Sequence, residues 1–259
     1  VTTTRIPIAF AAHGSPLLAL DELKGAELRS WGEAMPRPRA IVVLSPHWQT
    51  RDPTIGATRT LPLLYDFSGF PEALSKITYP APPAPELAKR IEELAAARVT
   101  LGRSPERKLD HGAWVPLLHM YPSADIPLVQ LSLPRREPEE LFDLGRLLAP
   151  LADEGVLILC TGVLVHNLRS VDFSGTNPTP TWAREFDAWC EDVLLRKDFT
   201  ALVQFRVRAP KLGMAHPTEE HFLPLLVAAG ASSTRSRLVT FPITGFEYSS
   251  LSRRCVQLT

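Results

Sequence analysis

The chain alternates short, wholly apolar runs with longer segments in which apolar residues recur every three or four positions. Four runs are continuous: Ile6–Ala12 (IPIAFAA), Ala40–Ser45 (AIVVLS), Ile126–Leu133 (IPLVQLSL) and Val156–Thr161 (VLILCT). Unbroken rather than alternating apolarity predicts strands covered on both faces, the pattern of a parallel sheet between helix layers. Ser236–Ile243 is a fifth, weaker run. Between them, Pro85–Arg98 places Leu87, Ile91, Leu94 and Ala95 on one helical face, with Pro85 suited to the first turn. Glu137–Ala152 does the same with Leu141, Leu144, Leu148 and Leu151. Thr181–Arg196 carries Trp182, Phe186, Trp189 and Val193 as a core-facing stripe behind a Thr181 cap. His221–Gly230 reads as a short apolar helix that Gly230 ends. Strands alternating with helices predict an α/β fold, with one domain spanning residues 1–259 and a central, mostly parallel sheet flanked by helices. Residues 46–84 fit neither period. A loop of that length in a compact chain is functional or conceals an element.

Composition narrows the class of partner. Lys+Arg and Asp+Glu are both 28, so the formal net charge is zero. That leaves no electrostatic footprint for nucleic acid or an anionic membrane, and small molecules are the expected partners. Hydrophobic residues make up 45% of the chain, which argues against disorder. No apolar run approaches the ~18 residues of a membrane span. Val1–Phe10 lacks the basic-then-apolar layout of a signal peptide. Cys160, Cys190 and Cys255 show no CxxC spacing, so they read as reduced thiols and the expected compartment is the cytoplasm. The 25 prolines predict fixed turns and interrupted elements.

The histidines carry the chemistry. His13 follows the first strand directly, His47 follows the second, and His166 lies five residues past the end of the fourth run. Ligands in open α/β sheets sit outside the carboxyl ends of the strands, so these three can converge although they are far apart in sequence. For any one of them alone, a hydrogen-bonded loop histidine is the simpler reading. His216 and His221 are separated by five positions, about 140° around a helix, so at most one of the two faces a given site. His221 is favoured, because it opens an apolar helix and its ring can project from the first turn. His216 precedes Pro217 and is expected to be extended. His111 sits in a turn that leads into an apolar helix, and His119 lies within that helix, where packing or solvent exposure is the expected state. There is no GxSxG, GxGxxG or P-loop. Glu92–Glu93, Glu139–Glu140 and Asp153–Glu154 look like solvated helix faces. Imidazole suits zinc, iron, copper and nickel, so the residues alone point to a histidine-rich transition-metal site at the strand ends.

Several strings occur in a recognisable order: HGSP (His13–Pro16), SPHW (Ser45–Trp48), YDFSGFP (Tyr65–Pro71), YPAP (Tyr79–Pro82), DHGAWVPL (Asp110–Leu117), QLSL (Gln130–Leu133), LVHNLR (Leu164–Arg169) and HPTEEHFLPL (His216–Leu225). In these the chain resembles the 4,5-DOPA-dioxygenase-like branch of the class III extradiol ring-cleavage dioxygenases, from about His13 to the C-terminus. The resemblance implies a non-haem metal centre and cleavage of a catechol, such as DOPA or a related catecholic acid, by O2. It implies metal ligation by His13, His47 and His221. It makes His166 the acid/base beside the metal or a further ligand, and His111 a second catalytic histidine that either supports the metal ligands from behind or faces the substrate. Ser15, Tyr65 and Phe70 are the expected substrate contacts. Iron(II) is the expected working metal, with zinc as an alternative occupant. Two departures from the family pattern stand out. Pro46 precedes His47 where a small residue is expected. The third ligand is a histidine where better-known extradiol enzymes use a carboxylate, which makes the site more positive and favours zinc capture. Two rival readings remain at this point: a zinc-dependent hydrolase, and a non-catalytic metal-binding protein on the same scaffold.

Overall fold

A computed structural model describes residues 5–96, 98–234 and 238–259. The central sheet comprises β1 (Ile8–Ala12), β2 (Ala40–Leu44), β3 (Leu128–Gln130), β4 (Val156–Gly162), β5 (Val239–Thr240) and β6 (Val256–Leu258). Their spatial order is β3-β2-β4-β1-β6-β5. The first four run parallel, with Val42 opposite Val129 and Ile158, and Phe10 opposite Cys160. The last two are antiparallel additions, with Ala9 opposite Gln257 and Gln257 opposite Thr240. The sequence reading missed β6, a three-residue strand with a half-exposed glutamine at its centre. Of the fifth run, Ser236 and Arg237 lie outside the described residues, and the part seen as strand is β5.

Helices cover both faces, which explains the continuous apolarity of the strands. Ile8, Phe10, Val42, Leu44, Ile158 and Cys160 pack on one side, against α2 (Pro85–Ala95), α4 (Pro138–Leu148), α5 (Thr181–Leu195) and α6 (Leu223–Ser232). Ala9, Ala11, Ile41, Val43, Leu157 and Leu159 point the other way, onto α1 (Glu22–Ala34) and α3 (His111–Met120). Side chains of a strand alternate faces, so both sets must be apolar when both faces are buried.

Helix α1 had no clear periodic signature. Gly25 and Gly32 interrupt its apolar face, and their purpose is close packing on α3. A Cβ at Gly25 would lie 2.4 Å from the His119 ring, and one at Gly32 would lie 2.5 Å from the Met120 carbonyl oxygen. His119, for which packing and exposure were both open, is packed: it is buried, with Nε2 2.8 Å from Leu18 O. Gly230 does not end its helix, which continues to Ser232. A Cβ there would fall 1.9 Å from Phe142 O, so the glycine permits contact between α6 and α4. Thr181 is the first residue of α5 rather than its cap; Pro180 holds the cap position without a side-chain bond. The helix expected over Glu137–Ala152 is divided, because Pro150 cannot donate an N–H and starts a separate turn, Pro150–Asp153. Within residues 46–84 lie the short strands Gln49–Thr50 and Thr54–Ile55 and the 3₁₀ turn Glu72–Lys76.

Candidate metal centre

The parallel strands deliver their following loops to one end of the sheet. His13 is the first residue after β1, and its backbone N–H still bonds to Gly162 O at 3.1 Å. His47 follows β2 by three residues, and His166 follows β4 by four. His221 does not open α6 as expected. It lies in the turn before Leu223, and its carbonyl accepts from Val163 N at 3.0 Å. Further bonds fasten the 214–221 segment along the loop after β4. His166 N donates to Ala215 O at 2.9 Å, Asn167 Nδ2 donates to Met214 O at 2.7 Å, and the His216 Nε2 to Leu164 O distance is 2.7 Å. His216 is thereby committed to the backbone, with its ring against those of Phe186 and Phe222. Of the pair, only His221 faces the cluster.

His13, His47 and His221 each present a ring nitrogen, all within 4.8 Å of one another. The Nε2 atoms of His13 and His47 are 3.2 Å apart. Two metal–imidazole bonds of about 2.0–2.1 Å, opened by ~90–110°, separate their nitrogens by roughly 2.9–3.4 Å, so this spacing suits two ligands of one ion. His13 Nδ1 is buried and has no hydrogen-bond partner among the described residues. Burial, reinforced by the neighbouring imidazoles, holds His13 and His221 well below the usual histidine range. Burial and then His111 lower His47 to about 4, against the opposing pull of Asp110 and Asp66. These rings are therefore neutral with lone pairs available, which is the state a metal requires.

Two carboxylates flank the cluster, and the sequence reading noticed neither. Asp66 Oδ1 lies 2.9 Å from His111 Nδ1 and accepts from the His111 backbone N–H at 3.0 Å. Glu220 Oε1 lies 3.1 Å from His221 Nδ1. A carboxylate on Nδ1 fixes the tautomer and leaves Nε2 as the donor to a metal or the acceptor of a proton. His111 is 4.0 Å from His47, ring centre to ring centre. His166 stacks on His221 at 3.6 Å with an interplanar angle of 10°. All five sequence-selected histidines therefore lie in one group.

The expected substrate contacts are spread around it. Ser15 Oγ accepts from Leu17 N and caps the 3₁₀ turn Pro16–Leu20. The Tyr65 hydroxyl donates to Ile77 O at 2.6 Å, so its proton is committed to the backbone. Phe70 packs on Phe67, and Phe67, which was not selected, sets its edge against His111 with centroids 5.7 Å apart. A cleft of about 720 Å³ that includes Arg98, Arg136 and Arg146 shares no residue with the histidine group.

Comparison with known proteins gives the family. Residues 9–252 match the family described as the catalytic LigB subunit of aromatic ring-opening dioxygenase. The chain belongs to that family, and it is an extradiol dioxygenase. A relative from Escherichia coli (strain K12), named 4,5-DOPA dioxygenase extradiol, is 41% identical, covering 100% of this chain and 96% of its own. A Beta vulgaris protein of the same name is 40% identical, over 88% of this chain and 87% of its own. The crystal structure of an uncharacterized protein from Escherichia coli K12 superposes with a TM-score of 0.83 at 37% identity, covering 98% of this chain and 100% of that one. The family implies a metal site, and the histidine group fits one. No helix among the described residues is long and apolar enough to cross a membrane.

Proposed function

We propose that the chain opens the ring of a catechol beside its diol with O2, that iron(II) is the working metal, and that the substrate is DOPA or a related catecholic acid. The observation that carries this reading is the meeting of His13, His47 and His221 within 4.8 Å at the strand ends. The substrate class draws support from relatives at 40–41% identity that bear the name 4,5-DOPA dioxygenase extradiol. His13, His47 and His221 would hold the ion. When bound, iron(II) supplies Lewis acidity that lowers a phenol pKa and a redox route to O2 that zinc lacks.

The remaining work falls to the chain's own side chains. His166, pulled down to about 4 chiefly by burial, is neutral at pH 7 and can accept the catechol proton at a ring nitrogen. Its ring stacks on that of the proposed ligand His221, with centroids 3.6 Å apart, which supports this role. His111, with Nδ1 engaged by Asp66, keeps Nε2 for the substrate or the oxygen. Phe67, Phe70 and the Tyr65 ring form an apolar wall for an aromatic substrate, and Ser15 offers a hydroxyl at the turn after His13. The free, buried Cys160, Cys190 and Cys255 support a reducing, cytoplasmic setting.

The test is anaerobic reconstitution with iron(II), followed by a catechol panel on admitting air. Oxygen uptake matched by a yellow ring-opened product is expected. Catechol left intact across the panel, with no oxygen consumed, would refute the reading.

A further inference from the structure

We infer that Asp110 is a positioning residue that sets how tightly the chain holds its metal; the inference rests on the metal centre proposed above. The Asp110 side chain is fully buried. Its Oδ1 accepts from Ser45 Oγ at 2.6 Å and from Ala113 N at 3.2 Å. Its Oδ2 accepts from Gln130 Nε2 at 2.6 Å and from Arg107 Nη2 at 2.7 Å. These donors come from the ends of β2 and β3, from the first turn of α3, and from the loop before α3.

Two of the four donors reach on to His47. The His47 backbone N–H donates to Ser45 Oγ at 3.3 Å, and Arg107 Nη2 donates to the His47 carbonyl, also at 3.3 Å. Both main-chain polar groups of His47 are thus tied to the Asp110 carboxylate through a single intermediate. The same carboxylate caps α3, whose first residue is His111. A second observation shows how closely these parts are pressed together. A Cβ at Gly112 would lie 2.4 Å from Ser45 Oγ and 2.7 Å from His47 Cδ2.

Withdrawing a carboxylate from water is costly, and apolar residues of similar volume often stabilise a fold as well or better. What an apolar residue cannot do is accept four hydrogen bonds at once and so fix two strand ends, a helix and a ligand loop in register. Asp110 accepts no bond from a histidine ring, so its influence on the metal is indirect, through the placement of His47.

The experiment uses metal-free, full-length protein. Zinc alone is titrated in competition with a chromophoric chelator, and cobalt(II) uptake is followed by visible absorption. The wild type is compared with Asp110→Asn and Ser45→Ala at a temperature well below each unfolding midpoint. Both variants should bind zinc about 10- to 100-fold more weakly, as measured for residues that orient ligands, and should shift the cobalt bands. A lowered midpoint with unchanged zinc affinity and cobalt spectrum would show a purely structural role and overturn the inference. Ser45→Ala removes the link to the His47 N–H and leaves Asp110, its other donors and the Arg107 link to the His47 carbonyl in place, so unchanged zinc affinity and cobalt bands in this variant overturn the inference if Asp110→Asn does not fold. A wild type that binds neither ion would overturn the metal centre itself, and this inference with it.

Discussion

Replacing Asp66 with alanine asks whether His111 works through a fixed tautomer. Asp66 Oδ1 serves two donors on the same residue, the His111 backbone N–H at 3.0 Å and ring Nδ1 at 2.9 Å. Burial works against this carboxylate, yet the bonds from His111 hold it below its ordinary range, so it is ionised at neutral pH. Without it, His111, only 7% exposed, keeps two donors without an acceptor, and the ring is free to carry its proton on Nε2 instead. A hydrogen bond to a charged group contributes about 1.5–3 kcal/mol. At ~1.36 kcal/mol per factor of ten, that is roughly a 10- to 100-fold loss in kcat. Asp66 Oδ2 lies 3.8 Å from His47 Nδ1, too far for a hydrogen bond, so metal content should change little. Asp66→Asn retains an oxygen at Oδ1 and should recover part of the loss. The assay is oxygen uptake by iron(II)-loaded enzyme, with metal content measured on the same samples. Unchanged kcat in Asp66→Ala, or a fall that merely follows lost metal, would refute the argument.

Other outcomes follow from the same geometry. His13→Ala and His47→Ala should lose both bound metal and turnover, checked by elemental analysis alongside the oxygen assay. His166→Ala should retain most metal and lose about 10²–10⁴ in kcat, the usual contribution of a positioned acid/base; loss of the metal would make it a ligand instead. The metal-free protein should lose thermal stability as pH falls from 6.5 toward 4. His47, His166 and His216 are each lowered from 6.5 to about 4, so the unfolded chain gains protons through that window while the folded chain does not. A melting temperature flat across this range would contradict it. Gly230→Ala should destabilise by about 1–3 kcal/mol or more, since its Cβ would meet Phe142 O at 1.9 Å; unchanged denaturant midpoints would refute it.

The parallel part of the sheet was legible because burial on both faces demands continuous apolar runs. The histidines stood out because parallel strands send their carboxyl ends, and the loops after them, to one side. What the sequence hid shares a different trait. Asp66, Asp110 and Glu220 lie in stretches without periodicity, and a carboxylate beside a histidine in space leaves no mark in spacing when its loop folds from elsewhere. Glu220 was adjacent to His221, but neighbours in sequence normally point apart, so only the turn before α6 brings its carboxylate to Nδ1. Gly230 misled because glycine reads as a breaker, whereas here, as with Gly25 and Gly32 of α1, it lets helices touch.

The placement of the three proposed ligands ties the ion to folding itself. His13 follows the first strand of the sheet, and His221 precedes the helix that packs close to its end. No contiguous half of the polypeptide could assemble the trio, so a captured cation would act as a clasp between distant segments. Loosening of either segment would release it, and its retention would report the integrity of the whole molecule more directly than any local probe.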